Sequence, residues 1–136
     1  MPTFPYLNGR KNLMLAGVNL ETAPIKAALM AAAYTPNFDT HNVFSGISAN
    51  EAAGTGYTAG GLTLTGKTVT TDAAADRAVF DAADATWNPI TIQTAGAVVY
   101  DSASGILLAW FDFNGTKSPT QQLWSVIWDA TGIIRL

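Results

Sequence analysis

Gly54-Thr55-Gly56-Tyr57-Thr58-Ala59-Gly60-Gly61-Leu62-Thr63-Leu64-Thr65-Gly66-Lys67-Thr68 is the stretch on which the fold turns, because it admits two incompatible readings. From Gly61 the letters satisfy G-x-x-x-x-G-K-[ST], with Gly66, Lys67 and Thr68 in the diagnostic places. Such a loop holds a nucleotide when backbone N–H groups curl round the phosphates, the Lys neutralises their charge and the hydroxyl ligates magnesium. It requires an apolar strand before it and a helix after it, since the helix N-terminus completes the anion site. Neither is present. Gly-Tyr-Thr-Ala-Gly precedes it, which is turn chemistry, and Val69-Thr70-Thr71-Asp72 follows, which favours a strand. Leu62-Thr63-Leu64-Thr65 alternates apolar and polar as a half-buried strand does. We therefore read a Gly-rich turn feeding an antiparallel strand.

Composition supports a protein that makes contacts more than one that performs chemistry. A chain of 136 residues suits one domain, and charged residues make up only 12% of it, about half the usual share. So thinly charged a surface is poor at keeping a free monomer soluble, which suggests cover by neighbouring subunits. The net charge of −3 gives no means of neutralising a nucleic-acid backbone. Arg10, Lys11 and Lys26 against Glu21 leave residues 1–26 at +2 and the remainder at −5, a mild asymmetry that would let a basic N-terminal segment meet an acidic neighbour. With no cysteine there is no disulfide or thiol chemistry, and one histidine, His41, permits no multi-histidine metal site. The longest apolar run, residues 27–34, is far too short for a bilayer, and Asn19, Glu21 and Pro24 interrupt any export signal.

The remaining pattern is that of a mainly β protein. It predicts a single-domain antiparallel sandwich or barrel-like fold with a short N-terminal helix and a long Gly-rich loop. Residues 1–9, with Pro2 and Pro5 opposing helix, form an extended arm, either disordered or docked on another subunit; residues 10–136 form the β-rich domain. A helix is expected over 10–17, and 25–33 fits either a buried strand or a short helix. Residues 34–61 are turn-rich, with one helical turn near Asn50, and a loop that long usually makes contacts. Strands are expected over 62–71, 78–82, 90–92, 95–100, 106–113, 123–128 and 132–136. Asp101-Ser102-Ala103-Ser104-Gly105 reads as a hairpin loop, and Asp129-Ala130-Thr131-Gly132 as a second. Strand 106–113 is apolar on both faces, with Ile106, Leu108 and Trp110 on one and Leu107, Ala109, Phe111 and Phe113 on the other. A sheet with one solvated face would not look so, and both faces must be covered, one by a sandwich core and the other by the helix, the long loop or another subunit.

Candidate chemistry is sparse. Asp81 and Asp84 are too close in sequence to flank a sugar from separate elements and suit a strand end and turn. Asp39 with His41 suits a solvated or capping role, because no second His or Cys completes a site. Asp72 and Asp76 with Asp39 lack the spacing of a calcium loop. Trp87, Trp110, Trp124, Trp128, Tyr57 and Tyr100 would stack on sugars only if exposed, and strand aromatics more often belong to a core or interface. No catalytic, metal or cofactor-binding residue is assigned. As protein contacts we expect Phe4 and Tyr6 of the arm, Tyr57 in its glycine-rich loop, and Trp124 and Trp128.

Three segments carry a resemblance. They are Tyr34-Thr35-Pro36-Asn37 with Asp39-Thr40-His41; Ile47 to Glu51 running into Gly54-Thr55-Gly56-Tyr57-Thr58-Ala59-Gly60-Gly61; and Trp128-Asp129-Ala130-Thr131-Gly132-Ile133. Together, E-x-x-G-x-G-Y-x-x-G-G and W-D-x-x-G-I resemble small virion structural proteins of tailed bacteriophages and prophages, over roughly residues 20–136. The resemblance implies a non-enzymatic role, foremost a capsid decoration or cement protein. It would sit on the capsid exterior after assembly in the bacterial cytoplasm, as a homo-oligomer (a trimer favoured) bound to the major capsid protein or other virion proteins, with no nucleic acid or membrane partner. The alternative is a tail-fibre or baseplate module that recognises host glycan.

Overall fold

The hairpin expected after residue 95 is the spine of the molecule. A computed structural model describes the backbone from Thr3 and the side chains from Pro5 to Leu136. In it β7 (Thr94–Asp101) and β8 (Leu107–Lys117) pair antiparallel. The connection closes as an Asx-type turn: Asp101 accepts from the Ala103 amide (3.0 Å) and the Ser104 hydroxyl (2.7 Å). The ambiguous segment 25–33 resolves as a strand, β2 (Ile25–Met30), paired along its whole length with β7. The edges are β1 (Thr3–Pro5) against β8 and β3 (Leu62–Thr63) against β2, giving the order β1-β8-β7-β2-β3.

Two smaller sheets pack on this one. The first has the order β10-β5-β4, built from β4 (Thr68–Asp72), β5 (Arg77–Asp81) and β10 (Ile134–Arg135). The second pairs β6 (Ala85–Ile90) with β9 (Gln122–Val126). The result is the expected mainly β, sandwich-like domain. Ile25, Ala27, Leu29, Ala97, Val99 and Phe111 face Phe80, Trp87, Val126 and Ile133 across one core. The opposite face of the same strands, with Ala28, Met30, Val98, Tyr100 and Trp110, meets Tyr6, Tyr34 and Ile47 in a second core. Both faces are indeed covered. The second is covered by the chain's own long loop, with helical turns at Phe44–Gly46 and Ser48–Asn50, and Phe38 and Phe44 packed against it.

Four expectations need correcting. Of the expected arm over residues 1–9, the described part is not separate: β1 is an edge strand of the main sheet, and α1 (Leu7–Met14) starts at Leu7, three residues earlier than expected. Residues 62–71 are not one strand, because Gly66 turns the chain at φ +63° between β3 and β4. Strand β8 does not alternate regularly, since Val99 faces Ala109 while Tyr100 faces Leu107, leaving Leu108 as a bulge. The bulge sends Leu108 into the first core with Ala109, and Leu107 into the second with Trp110. Finally, β9 and β10 do not form a hairpin. They pair with β6 and β5, and the Asp129–Gly132 turn passes the chain between two sheets.

Helix α1 ends in a Schellman arrangement, in which the amide of Gly17 reaches the Asn12 carbonyl (2.8 Å) and that of Ala16 the Leu13 carbonyl (3.2 Å). The left-handed position is held by Ala16 at φ +57°, where a Cβ is strained. Ala16→Gly should stabilise the protein by about 0.5–1 kcal/mol despite the looser unfolded chain. Urea unfolding measures this, and an unchanged or lowered midpoint would contradict the cap geometry.

Candidate functional site

The glycine-rich motif folds into a lock on β2. Glu51 bridges to β2 at Met30, and its Oε1 accepts from the Tyr57 hydroxyl (2.6 Å) and the Gly60 amide (2.7 Å). The same Tyr57 oxygen accepts from the Leu29 amide (2.9 Å), and the Tyr100 hydroxyl donates to the Gly60 carbonyl (2.6 Å). Gly61 lies at φ +87° so close to β2 that a Cβ there would sit 2.0 Å from the Ala27 carbonyl oxygen. The motif therefore spends its polar groups on fastening residues 51–61 to the sheet. Lys67 continues the same pattern by donating to the Ala23 carbonyl, and Thr68 opens a strand where a phosphate loop would open a helix.

The second motif, Trp128 to Ile133, joins the two small sheets. The Trp128 amide donates to Asp84 (3.0 Å) and its indole N–H to the Ala83 carbonyl (3.1 Å). Asp129 accepts from the amide (2.9 Å) and hydroxyl (2.7 Å) of Thr131, and the amide bond foremost, with Arg135 nearby, holds its carboxyl below the usual carboxylate range. Gly132, at φ +104°, packs on Val79 where a Cβ would lie 2.3 Å from its Cγ1.

The other candidate groups are similarly occupied. Asp81 accepts from the adjoining Ala82 amide, and Asp84 is taken by Trp128, so the two serve separate turns. His41 has the capping role: its Nδ1 lies 3.1 Å from both the Asn37 amide and the Tyr34 hydroxyl, and its ring stacks on Tyr34. Asp72 pairs with Arg77 at 3.0 Å. Among the described residues, no three His, Asp or Glu side chains gather as a metal site.

Several expected contact residues prove internal. Tyr6 is fully buried with its hydroxyl 2.6 Å from that of Tyr34, so it anchors the N-terminal segment to the chain's own core and is withdrawn as a contact. Trp128 is likewise buried under its hydrogen bonds, and its ring lies 4.9 Å from that of Phe111. Tyr57 is half-buried against Trp87, with its hydroxyl spent in the lock. Trp124 is half-buried between Trp87 and Phe113. The side chain of Phe4 lies outside the described residues; its backbone faces Trp110 in β1.

What remains open to a partner is aliphatic. Leu123 (60% exposed) and Ile127 (69%) share the outer side of β9, and Met14 and Leu15 project from the end of α1. A groove of about 410 Å³ between the exit of α1 and the β4–β5–β10 sheet is lined by Leu13, Val18, Leu20, Val69, Phe80 and Ile134. Sequence reasoning placed the contact on the tryptophan side of residues 123–128. The signal for the other side was Ser125 between Leu123 and Ile127, a polar residue on the face where that strand meets water. No family model matches the chain, and no curated protein or solved structure matches it.

All four tyrosines have their hydroxyls pushed up from the usual phenol range, in each case chiefly by burial. A phenol raised by folding adds stability that is complete below its unfolded pKa of about 10 and lost as pH rises above it. Absorbance titration at 295 nm should therefore show the tyrosines ionising together with loss of near-UV circular dichroism. Stepwise ionisation near pH 10 with the fold intact would contradict these positions. Tyr57→Phe should cost about 1–3 kcal/mol, since it leaves the Leu29 amide without its acceptor and Glu51 short of a donor. Urea unfolding tests it, and a cost within a few tenths would mean the lock does not hold the loop.

Proposed function

We propose that this chain is a non-enzymatic structural subunit of a tailed-bacteriophage particle, placed on the capsid exterior as a decoration or cement protein. The observation that carries the reading is the chemistry of what is left exposed. Among the described residues, every exposed large apolar side chain is aliphatic: Leu7, Met14, Leu15, Val43, Val69, Leu123, Ile127 and Leu136. They lie on a surface with few charges, and the groups that look reactive in the sequence serve as caps and turn partners. Aliphatic side chains of this kind stabilise an assembly by leaving water, at about 25 cal/mol per Å² of apolar surface, with no chemistry required. The resemblance of the two locked motifs to virion proteins is what supports placing that assembly in a phage particle. Glycan recognition by a tail module is the weaker reading, because stacking on a sugar needs an open ring face and the described aromatic rings are buried or half-buried.

The test is a deletion of the gene from the parent phage. Purified wild-type particles should contain the chain by mass spectrometry. Heads lacking it should lose their DNA at lower temperature or under osmotic shock, and added protein should restore them. Particles that never contain the chain, or heads whose stability ignores it, would overturn the reading. Saccharide binding on a glycan array, with no effect on the head, would favour the tail module.

A further inference from the structure

A strand at the edge of a sheet carries unpaired backbone groups, and proteins guard such edges against unwanted pairing with charge, proline, shortness or cover. In this molecule the guards can be read edge by edge. At β1, the Tyr6 amide points into the sheet toward Leu108 (3.1 Å), which turns position 5 outward, and Pro5 has no N–H to offer. Strands β3 and β10 are two residues each. The outer edge of β4 is blocked by Glu21, whose carboxylate takes the Val69 amide (2.9 Å), and the strand ends in the charged Asp72. Strand β6 contains Pro89, and Thr91 just beyond it is bridged by Thr55.

Strand β9 has none of these devices. Gln122-Leu123-Trp124-Ser125-Val126, continued by Ile127, contains no charge, proline or glycine, and among the described residues its backbone pairs only with β6. Its outer side carries Leu123 and Ile127, with Ser125 between them. Beside it runs a groove of about 340 Å³, whose far wall is the end of β8 with Asp112, Phe113, Asn114 and Lys117, so the charges near this edge stand across the groove and not on the strand itself.

We propose that the free edge of β9 pairs antiparallel with the β9 edge of a second copy of this chain, about a two-fold axis at Ser125. The sequence of the edge is self-complementary in that register. Ser125 meets Ser125 of the other copy, and each Leu123 faces an Ile127, so two aliphatic cross-strand pairs flank the axis and no like charges meet. The two-stranded sheet becomes a four-stranded one, which removes its unpaired edge. Six residues of backbone, the aliphatic pairs and the groove wall bury on the order of 1,000 Å² in total, the lower bound for a specific interface. A two-fold contact replaces the trimer expected from sequence, and it holds whatever particle the chain belongs to.

The absence of native cysteine makes the test clean. In the full-length chain, Ser125→Cys should form a disulfide dimer under mild oxidation at least about tenfold faster than Thr70→Cys on the guarded β4 edge, because the two thiols are held opposite one another. Light scattering of the unmodified protein at micromolar concentration should give a dimer. Ile127→Lys, at a side chain already exposed, should raise the dissociation constant at least about tenfold with an unchanged circular dichroism spectrum. Equal cross-linking at the two positions, a trimer or monomer by mass, or an Ile127→Lys protein that associates as before would each overturn the proposal.

Discussion

The central constraint on this chain is that three adjacent strands, β2, β7 and β8, are apolar on both faces and sit in the middle of one sheet. Met30, Val98, Leu107 and Trp110 on the second face would each lose about 2 kcal/mol if left in water. That sum is comparable with the whole net stability of a small domain. The two faces are covered by different means. On the first, the smaller sheets satisfy their own backbone groups as they pack. On the second, the cover is a loop, and a loop laid over a hydrophobic face must find partners for its amides and carbonyls one at a time.

Most of the conspicuous polar residues serve that need. Glu51 and Tyr57 tie the loop's far end to β2 and Tyr100 ties it to β7, while Tyr6, Tyr34 and His41 form a chain of contacts at its near end. The glycines of the motif let backbone lie against backbone where the lock closes, as Gly61 does on Ala27. What looks in the sequence like a nucleotide site is a fastening, and its Lys ends on a carbonyl of the segment before β2. Glu51 is the carboxylate committed to the cover, and the large apolar side chains left exposed are aliphatic. This is the physical basis for reading it as a component of an assembly.

Much of the fold was legible because its strongest signals are local. The Asp101–Gly105 turn between two apolar runs announces the β7–β8 hairpin, and the lack of a polar face announces double cover. The misses come from long-range choices. Asp129–Gly132 has the letters of a hairpin loop, but whether β9 turns back on its neighbour or on β6 depends on partners 39 residues away, such as Thr86 opposite Ser125. Leu108 gives no sign of a bulge, because either face would accept a leucine. Tyr6 looked like a contact since nothing nearby in sequence could receive its ring, and Trp128 since its strand is apolar on both faces; the receiving residues, Tyr34 and Phe111, are brought up by the fold. The exposed pair Leu123 and Ile127 was visible as the other side of a strand whose tryptophans drew attention.

In this fold the loop is an integral cover for the sheet. Native-state hydrogen exchange measures that directly. The amides of Ala31, Ile47, Asn50 and Ala52, which bond within the cover or to β2, should exchange only through the same global opening as those of β2 and β7. If those loop amides exchanged through a separate opening several kcal/mol less costly, the second face would depend on some other cover, and the loop's role as described here would be wrong.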